Sequence, residues 1–131
     1  MFAAAGALLA AVAGAQSYPV RPVRVIVNFP PGAGVDIATR IVTAKLGEAL
    51  GQQFVIDNRA GAAGNIGVEL AARAAPDGYT LLSGTAAIAI SQTIFSKISY
   101  DLNRDFAPVA MIASAPFVLA VHPALPAKTL Q

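Results

Sequence analysis

Two glycine-rich turns hold the residues of this sequence whose types and spacing can do chemistry. The first is Phe29-Pro30-Pro31-Gly32-Ala33-Gly34-Val35-Asp36, and the second is Asn58-Arg59-Ala60-Gly61-Ala62-Ala63-Gly64-Asn65-Ile66-Gly67. Each stands between an apolar run that reads as a strand and a run that reads as a helix. A turn of this kind aims unpaired backbone N–H groups and the positive end of a helix dipole at one point. That point attracts anions. No Lys or Arg lies inside the first turn, so backbone donors would carry the recognition.

The other reading of each residue is plain architecture. Gly32, Gly34, Gly61, Gly64 and Gly67 can serve only to make turns, since glycine is the usual turn residue. The repetition of the same unit argues for more. Asp36, at a helix start, is expected to accept hydrogen bonds from first-turn N–H groups as a cap rather than to meet an anion, which it would repel. Arg59 at a strand end is read as solvated. His122 has no His, Cys or paired carboxylate near it in sequence, so no metal site is expected. Phe29, Phe54 and Phe106 read as core, and Phe29 at the mouth of the first turn could also pack on a ligand's carbon chain.

The elements that must position these turns follow from periodicity. Strands are expected at 23–28, 53–57 and 79–84, helices at 35–50 and 65–75, and a mixed segment at 86–98. Ile37, Ile41, Val42, Leu46, Ala49 and Leu50 give the first helix its spacing, Gly51 is placed to end it, and Pro76-Asp77-Gly78 stops the second. Strand alternating with helix implies an α/β fold on a parallel sheet. Ligands of such sheets lie at the carboxyl ends of the strands, so Gly84 and Thr85, closing the third strand, should meet the two turns on one edge. Beyond Tyr100-Asp101 the alternation stops. Ala107 to Ala113 and Phe117 to Val121 read as two strands with no helix between them, taken as the crossing into a second domain.

Composition excludes several classes. Nine basic residues stand against seven acidic ones, a formal charge of +2 with no cluster, so nucleic acid is not expected as a partner. A dinucleotide enzyme would need a third glycine where Ile37 stands, a phosphate-binding loop would need Gly-Lys-Ser/Thr, and a hydrolase of the nucleophile-elbow type would need G-x-S-x-G; none is present. No cofactor is expected. A chain that only binds needs none of these motifs. The run Phe2 to Ala15 is apolar but too short for a membrane span of about 20 residues. Ala13-Gly14-Ala15 and Ala15-Gln16-Ser17 have the small-x-small form of a signal-peptidase site, so residues 1–17 are expected to be an export signal, cleaved near Ala15 to Ser17. At the other end, 125–131 resembles a linker into a helix with Thr129 as N-cap.

With both turns and the third strand placed, the chain resembles the Bordetella uptake gene family, the extracytoplasmic receptors of tripartite tricarboxylate transporters. The resemblance runs from about Tyr18 to Gln131 and is carried by YPVRPVRVIVNFPPGAGVD, LGQQFVIDNRAGAAGNIG, AAPDGYTLLSGT, YDLNRDFAPVAMIA and VHPALPAKTL. It implies a periplasmic-binding-protein-like lobe of the type II, Venus-flytrap class. Residues 18–106 would form the first α/β lobe, and 107–131 the hinge and start of the second, with only that start present. It implies a monomeric receptor in the periplasm that hands a small carboxylate to membrane transporter subunits; a receptor feeding a membrane kinase is the alternative. The acid would be a di- or tricarboxylate, an amino acid or an aromatic acid. It further implies that the two units form a pincer on one carboxylate through backbone N–H groups and ordered waters. The site residues would be Phe29, Gly32, Ala33, Gly34, Asp36, Gly61, Ala62, Ala63, Gly64 and Asn65, with Gly84 and Thr85 lining the same pocket. Ala33 and Ala63 stand where the family commonly has glycine, and Ala60 where it often has proline. An alanine is tolerated there if its φ is negative and is costly if the turn needs a left-handed residue.

Overall fold

The computed structural model describes residues 18–116, 118–122 and 124. The expected signal segment and the linker with Thr129 lie outside the described residues. Within them, the element order is β1 (Val23–Val27), α1 (Gly34–Leu50), β2 (Phe54–Asn58), a single 3₁₀ turn (Ala62–Gly64), α2 (Asn65–Ala72), β3 (Thr80–Ser83), α3 (Ala87–Ile94) and α4 (Leu102–Asp105).

The Val/Ile-rich run Val23-Arg24-Val25-Ile26-Val27 is a strand buried on both faces, as expected of the centre of a parallel sheet. It is flanked by β2 and β3 in the order β2-β1-β3. All pairing is parallel, with Val27 opposite Asn58 on one side and Ser83 on the other. Val23, Ile26 and Val27 are fully buried, and with Val25, Val68 and Tyr100 they form the apolar core. Each such side chain contributes roughly 1.5–3 kcal/mol by leaving water. The expected α/β class and parallel sheet are therefore observed, and all three strands end at the same edge.

Helix α1 ends where Gly51 takes a left-handed φ of 68° and its N–H returns to Gly47 O at 3.0 Å. The apolar residues that signal this helix do not line its buried side. Ile37 and Ile41 are more than half exposed, whereas Asp36, Thr39 and Thr43 face the sheet. Those inward polar groups are satisfied locally. Thr43 Oγ1 donates to Thr39 O at 2.8 Å. Thr39 Oγ1 donates to Val35 O at 2.6 Å and stands 2.6 Å from Ser83 Oγ, tying α1 to the end of β3. The first residues of the described chain are held by Tyr18 Oη donating to Gly78 O (2.7 Å) and Arg21 lying over the Tyr79 ring and against Asp77.

Two helices add to the expected elements, and one expectation is corrected. The mixed segment 86–98 contains a defined helix, Ala87–Ile94. A further short helix, Leu102–Asp105, is capped by Asp101, whose carboxylate accepts from Asn103 N (2.8 Å) and Arg104 N (3.2 Å). The described parts of the two expected strands, 107–113 and 118–121, form no strand. Apolar composition marks a segment for burial, but a ladder needs a neighbour, and among the described residues none is paired with them. Val109, Met111 and Val118 are instead more than four-fifths exposed.

Candidate functional site

Both glycine turns open at the carboxyl edge of the sheet, one after β1 and one after β2, and the end of β3 lies on the other side of β1. The first turn is built from its own backbone. Gly32 takes a φ of 84°, and Ala33 N–H reaches back to Pro30 O at 3.3 Å. Ala33 is the N-cap of α1 at φ −65°, so alanine is unstrained there. Gly34 has open space where a Cβ would sit and no left-handed φ.

Asp36 closes the turn. It is 2 % exposed. Its Oδ2 accepts from Arg40 Nε and Gly32 N, both at 2.9 Å, and its Oδ1 from Asn58 Nδ2 at 2.8 Å. The bond from the Arg40 guanidinium, then those from Gly32 and Asn58, hold this carboxyl well below the usual carboxylate range. The cap expected of Asp36 is not formed: Ala33 is the N-cap, no side chain bonds a first-turn N–H, and Asp36 instead reaches back to Gly32 N–H ahead of the helix. Its acceptor capacity is turned inward, and its role is to position the turn. Because Gly32 and Ala33 spend their N–H groups inside the turn, the donors of α1 left without a backbone partner are those of Gly34, Val35 and Asp36, the first intrahelical bond being Ile37 N–H to Ala33 O (3.0 Å). Val35 was missing from the sequence-derived set because donor supply depends on which N–H groups the turn consumes.

Asn58 joins the two turns. Its Nδ2 donates to Phe29 O (3.0 Å) as well as to Asp36, and its Oδ1 accepts from Arg40 Nη2 at 3.1 Å. Phe29 is half-buried between them. Asn58 and Arg40 were not anticipated as positioning residues; the only cue was an amide at the end of a strand. Arg59 turns away to Asp57, Nε to Oδ1 at 2.8 Å, and Arg24 Nε binds the other oxygen of Asp57 at 2.9 Å. Arg59 is therefore engaged in an exposed ion pair, in line with its solvated reading.

The second turn is wound left-handed. Gly61, Ala62, Ala63 and Gly64 have φ values of 120°, 47°, 55° and 91°. A left-handed alanine costs roughly 1–2 kcal/mol, so Ala62 and Ala63 hold strain at the turn that is expected to bind. Gly64 N–H donates to Gly61 O at 2.9 Å and Asn65 N–H to Ala62 O. Gly61, Ala62 and Ala63 are exposed, whereas Gly64 and Asn65 are buried. The Asn65 side chain is occupied, its Oδ1 accepting from Tyr100 Oη at 2.8 Å. Burial raises the Tyr100 phenol above its ordinary value. Gly67 lies within α2, where a Cβ would meet Arg59 O at 2.8 Å, so this glycine serves close packing and not the turn.

Gly84 and Thr85 are exposed at the start of α3, where Thr85 Oγ1 accepts from Ala87 N at 3.3 Å. Between them and the second turn lies Asn28, the residue after β1, 1 % exposed. A Cβ on Gly64 would sit 2.5 Å from its Nδ2, and one on Gly84 would sit 2.9 Å from its Oδ1. The expected site residues are therefore assembled around one edge of the sheet. His122 lies elsewhere on exposed chain, its Nδ1 accepting from Ala124 N at 3.2 Å. A separate concavity of about 740 Å³ runs along α1 and the outer side of β2, lined by Thr43, Gly47, Phe54 and Ile56, away from the turns.

This arrangement can hold an anion: two helix N-termini and a left-handed turn on adjacent strands, pinned together by Asp36, Arg40 and Asn58. The comparisons agree in class. The family model of the tripartite tricarboxylate transporter family receptor matches residues 25–131. Protein BugT of Bordetella pertussis is 41% identical over 124 residues, covering 93% of this chain and 38% of its own length. A protein of the tcbD-tcbE intergenic region of Pseudomonas sp. strain P51 is 42% identical over 106 residues, 81% of this chain and 32% of its own. Among solved structures, a Rhodopseudomonas palustris protein with adipate is 40% identical, with a TM-score of 0.67 over 70% of this chain and 31% of that one. MatC of the same organism, with bound malate, is also 40% identical, with a TM-score of 0.64 over 72% of this chain and 33% of that one. The chain thus spans about a third of the length of the curated relatives it matches. By sequence and by fold, the chain belongs to the tripartite tricarboxylate transporter receptor family, whose members are solute-binding receptors and not enzymes.

Proposed function

We propose that this chain is the solute-capturing portion of a periplasmic receptor that binds a small carboxylate and delivers it to a tripartite tricarboxylate transporter. The observation that carries the reading is the pair of glycine turns on neighbouring strands, held in one frame by Asn58, which bonds both Phe29 O and Asp36. One carboxylate oxygen is taken by the N–H groups of Gly34, Val35 and Asp36, and the other by the exposed peptide groups of Ala62 and Ala63. Gly84 and Thr85 form the far wall. The family match and the acids held by the two R. palustris proteins favour a dicarboxylate. No covalent step is involved. Residues 18–106 form the first lobe, and 107–131 cross toward a second lobe that closes on the solute and reads its far end; the receptor works as a monomer.

The test is calorimetric titration of the complete gene product with malate, adipate, citrate, glutamate and nicotinate, each beside its uncharged amide. Backbone donors require an ionised partner. Acids should bind at least tenfold more tightly than amides, and affinity should fall as pH drops through the solute's own pKa, about 4 for a simple carboxyl. Equal affinity for acid and amide would show that the turns are not an anion site.

A further inference from the structure

Asn28 is the most frustrated polar residue near the candidate site. Its side chain is fully buried, yet neither Oδ1 nor Nδ2 has a hydrogen-bond partner among the described residues. Buried amides are almost always paired, because an unpaired one forfeits its bonds to water. Three glycines surround it. A Cβ on Gly64 would stand 2.5 Å from Nδ2, one on Gly67 3.0 Å from the Asn28 Cβ, and one on Gly84 2.9 Å from Oδ1. Glycines without side chains of their own therefore lie between the carboxamide and the exposed rim formed by Ala62, Ala63, Gly84 and Thr85. The tip of Ile88 borders the same gap, with Cδ1 2.3 Å from the Cβ position of Gly84, and a flexible side-chain end of this kind can swing aside. On the Gly64 side the neighbouring alanines are held left-handed. Unsatisfied groups and backbone strain of this kind persist where a fold is organised for a partner.

We propose that Asn28 is a specificity-determining residue of the carboxylate site: its Nδ2 donates a hydrogen bond to the captured carboxylate through the gap between Gly64 and Gly84. The proposal rests on the carboxylate reading above and adds a side chain to a site otherwise made of backbone. Backbone N–H groups are the same in every residue but proline, whereas the side chain at position 28 can vary, so this position tunes which acids are retained.

The test uses the complete gene product carrying Asn28→Leu, which keeps the branching of the side chain without its polar atoms, and Asn28→Asp, which places an acceptor and a charge where the donor stood. The probe is the tightest-binding acid of the panel malate, adipate, citrate, glutamate and nicotinate, with its amide alongside. Asn28→Leu should weaken the acid by tenfold or more, with its ligand-free melting curve as the folding control. Asn28→Asp should weaken the acid further and shift preference toward the amide, whose N–H groups can donate to the new carboxylate; a purely structural role would not invert selectivity. Asn28→Leu binding like the parent would overturn the proposal. A parent that binds none of the acids would defeat the carboxylate reading itself, an outcome separable from parity between parent and variants.

Discussion

Asp36 gathers three donors from three places: Arg40 one turn on, Gly32 in the preceding turn and Asn58 at the end of β2. All three favour the charged form, so the folded pKa lies below the ordinary carboxylate value near 3.9. The sign follows. A depressed folded pKa contributes stability that is present above the unfolded value and is lost as pH falls toward the folded one. Acid unfolding should therefore begin below about pH 4. Asp57, held down chiefly by Arg24, and Asp105, held at about 2 chiefly by Arg104, act in the same direction. Asp36→Asn should melt lower than the parent at pH 7, lose less stability than the parent between pH 5 and pH 2, and weaken solute binding only several-fold, since it disturbs a turn without removing an outward donor. Melting curves across that pH range check this; identical pH slopes would mean that the network is not formed. At the same scale, Tyr100→Phe removes the bond to Asn65 Oδ1 and should cost about 1–3 kcal/mol in denaturant unfolding, because the amide oxygen stays buried without a partner.

Among the elements, β1, α1, β2 and the start of α2 follow the residue pattern to within a residue or so, because each has both a periodic run and a glycine or proline at its ends. The pattern was less informative where packing decides. Ile37 and Ile41 mark a helix by spacing, yet the buried side of α1 is polar, because that side meets Ser83 and Asn58 at the carboxyl ends of the strands. The runs after Phe106 read as strands because apolar composition cannot report whether a pairing partner exists. Asn28 gave no signal at all: one asparagine after a strand looks like a turn residue, and its meaning lies in the three glycines that the fold brings around it. The two glycines that the sequence makes equivalent also part company. Gly34 has open space and an ordinary φ, so Gly34→Val should fold and lose binding by tenfold or more through obstruction of the α1 donors. Gly64 combines a φ of 91° with contact to Asn28, so Gly64→Val should lower stability by more than about 2 kcal/mol before binding can be assessed. Thermal unfolding of the pair checks the contrast, and equal stability would contradict it.

For the molecule as a whole, a three-stranded sheet buries one strand well and leaves both outer strands half-covered. Val109, Met111, Val118 and Leu119 lie open on a segment without regular structure. Exposed apolar chain of this kind invites association. Residues 18–131 produced alone should self-associate at micromolar concentration, and Met111→Lys with Val118→Lys should reduce it; light scattering decides, and a monodisperse parent would remove the need for a covering surface. The central claim is narrower: one ionised carboxylate is held by main-chain N–H groups of both turns. It is read most directly by amide-resolved NMR of the complete receptor titrated with its tightest-binding acid and, separately, with the matching amide. The N–H resonances of Gly34, Val35, Asp36, Ala62 and Ala63 should shift together with the acid and stay in place with the amide. Shifts confined to other residues, or the same shifts with acid and amide, would contradict it.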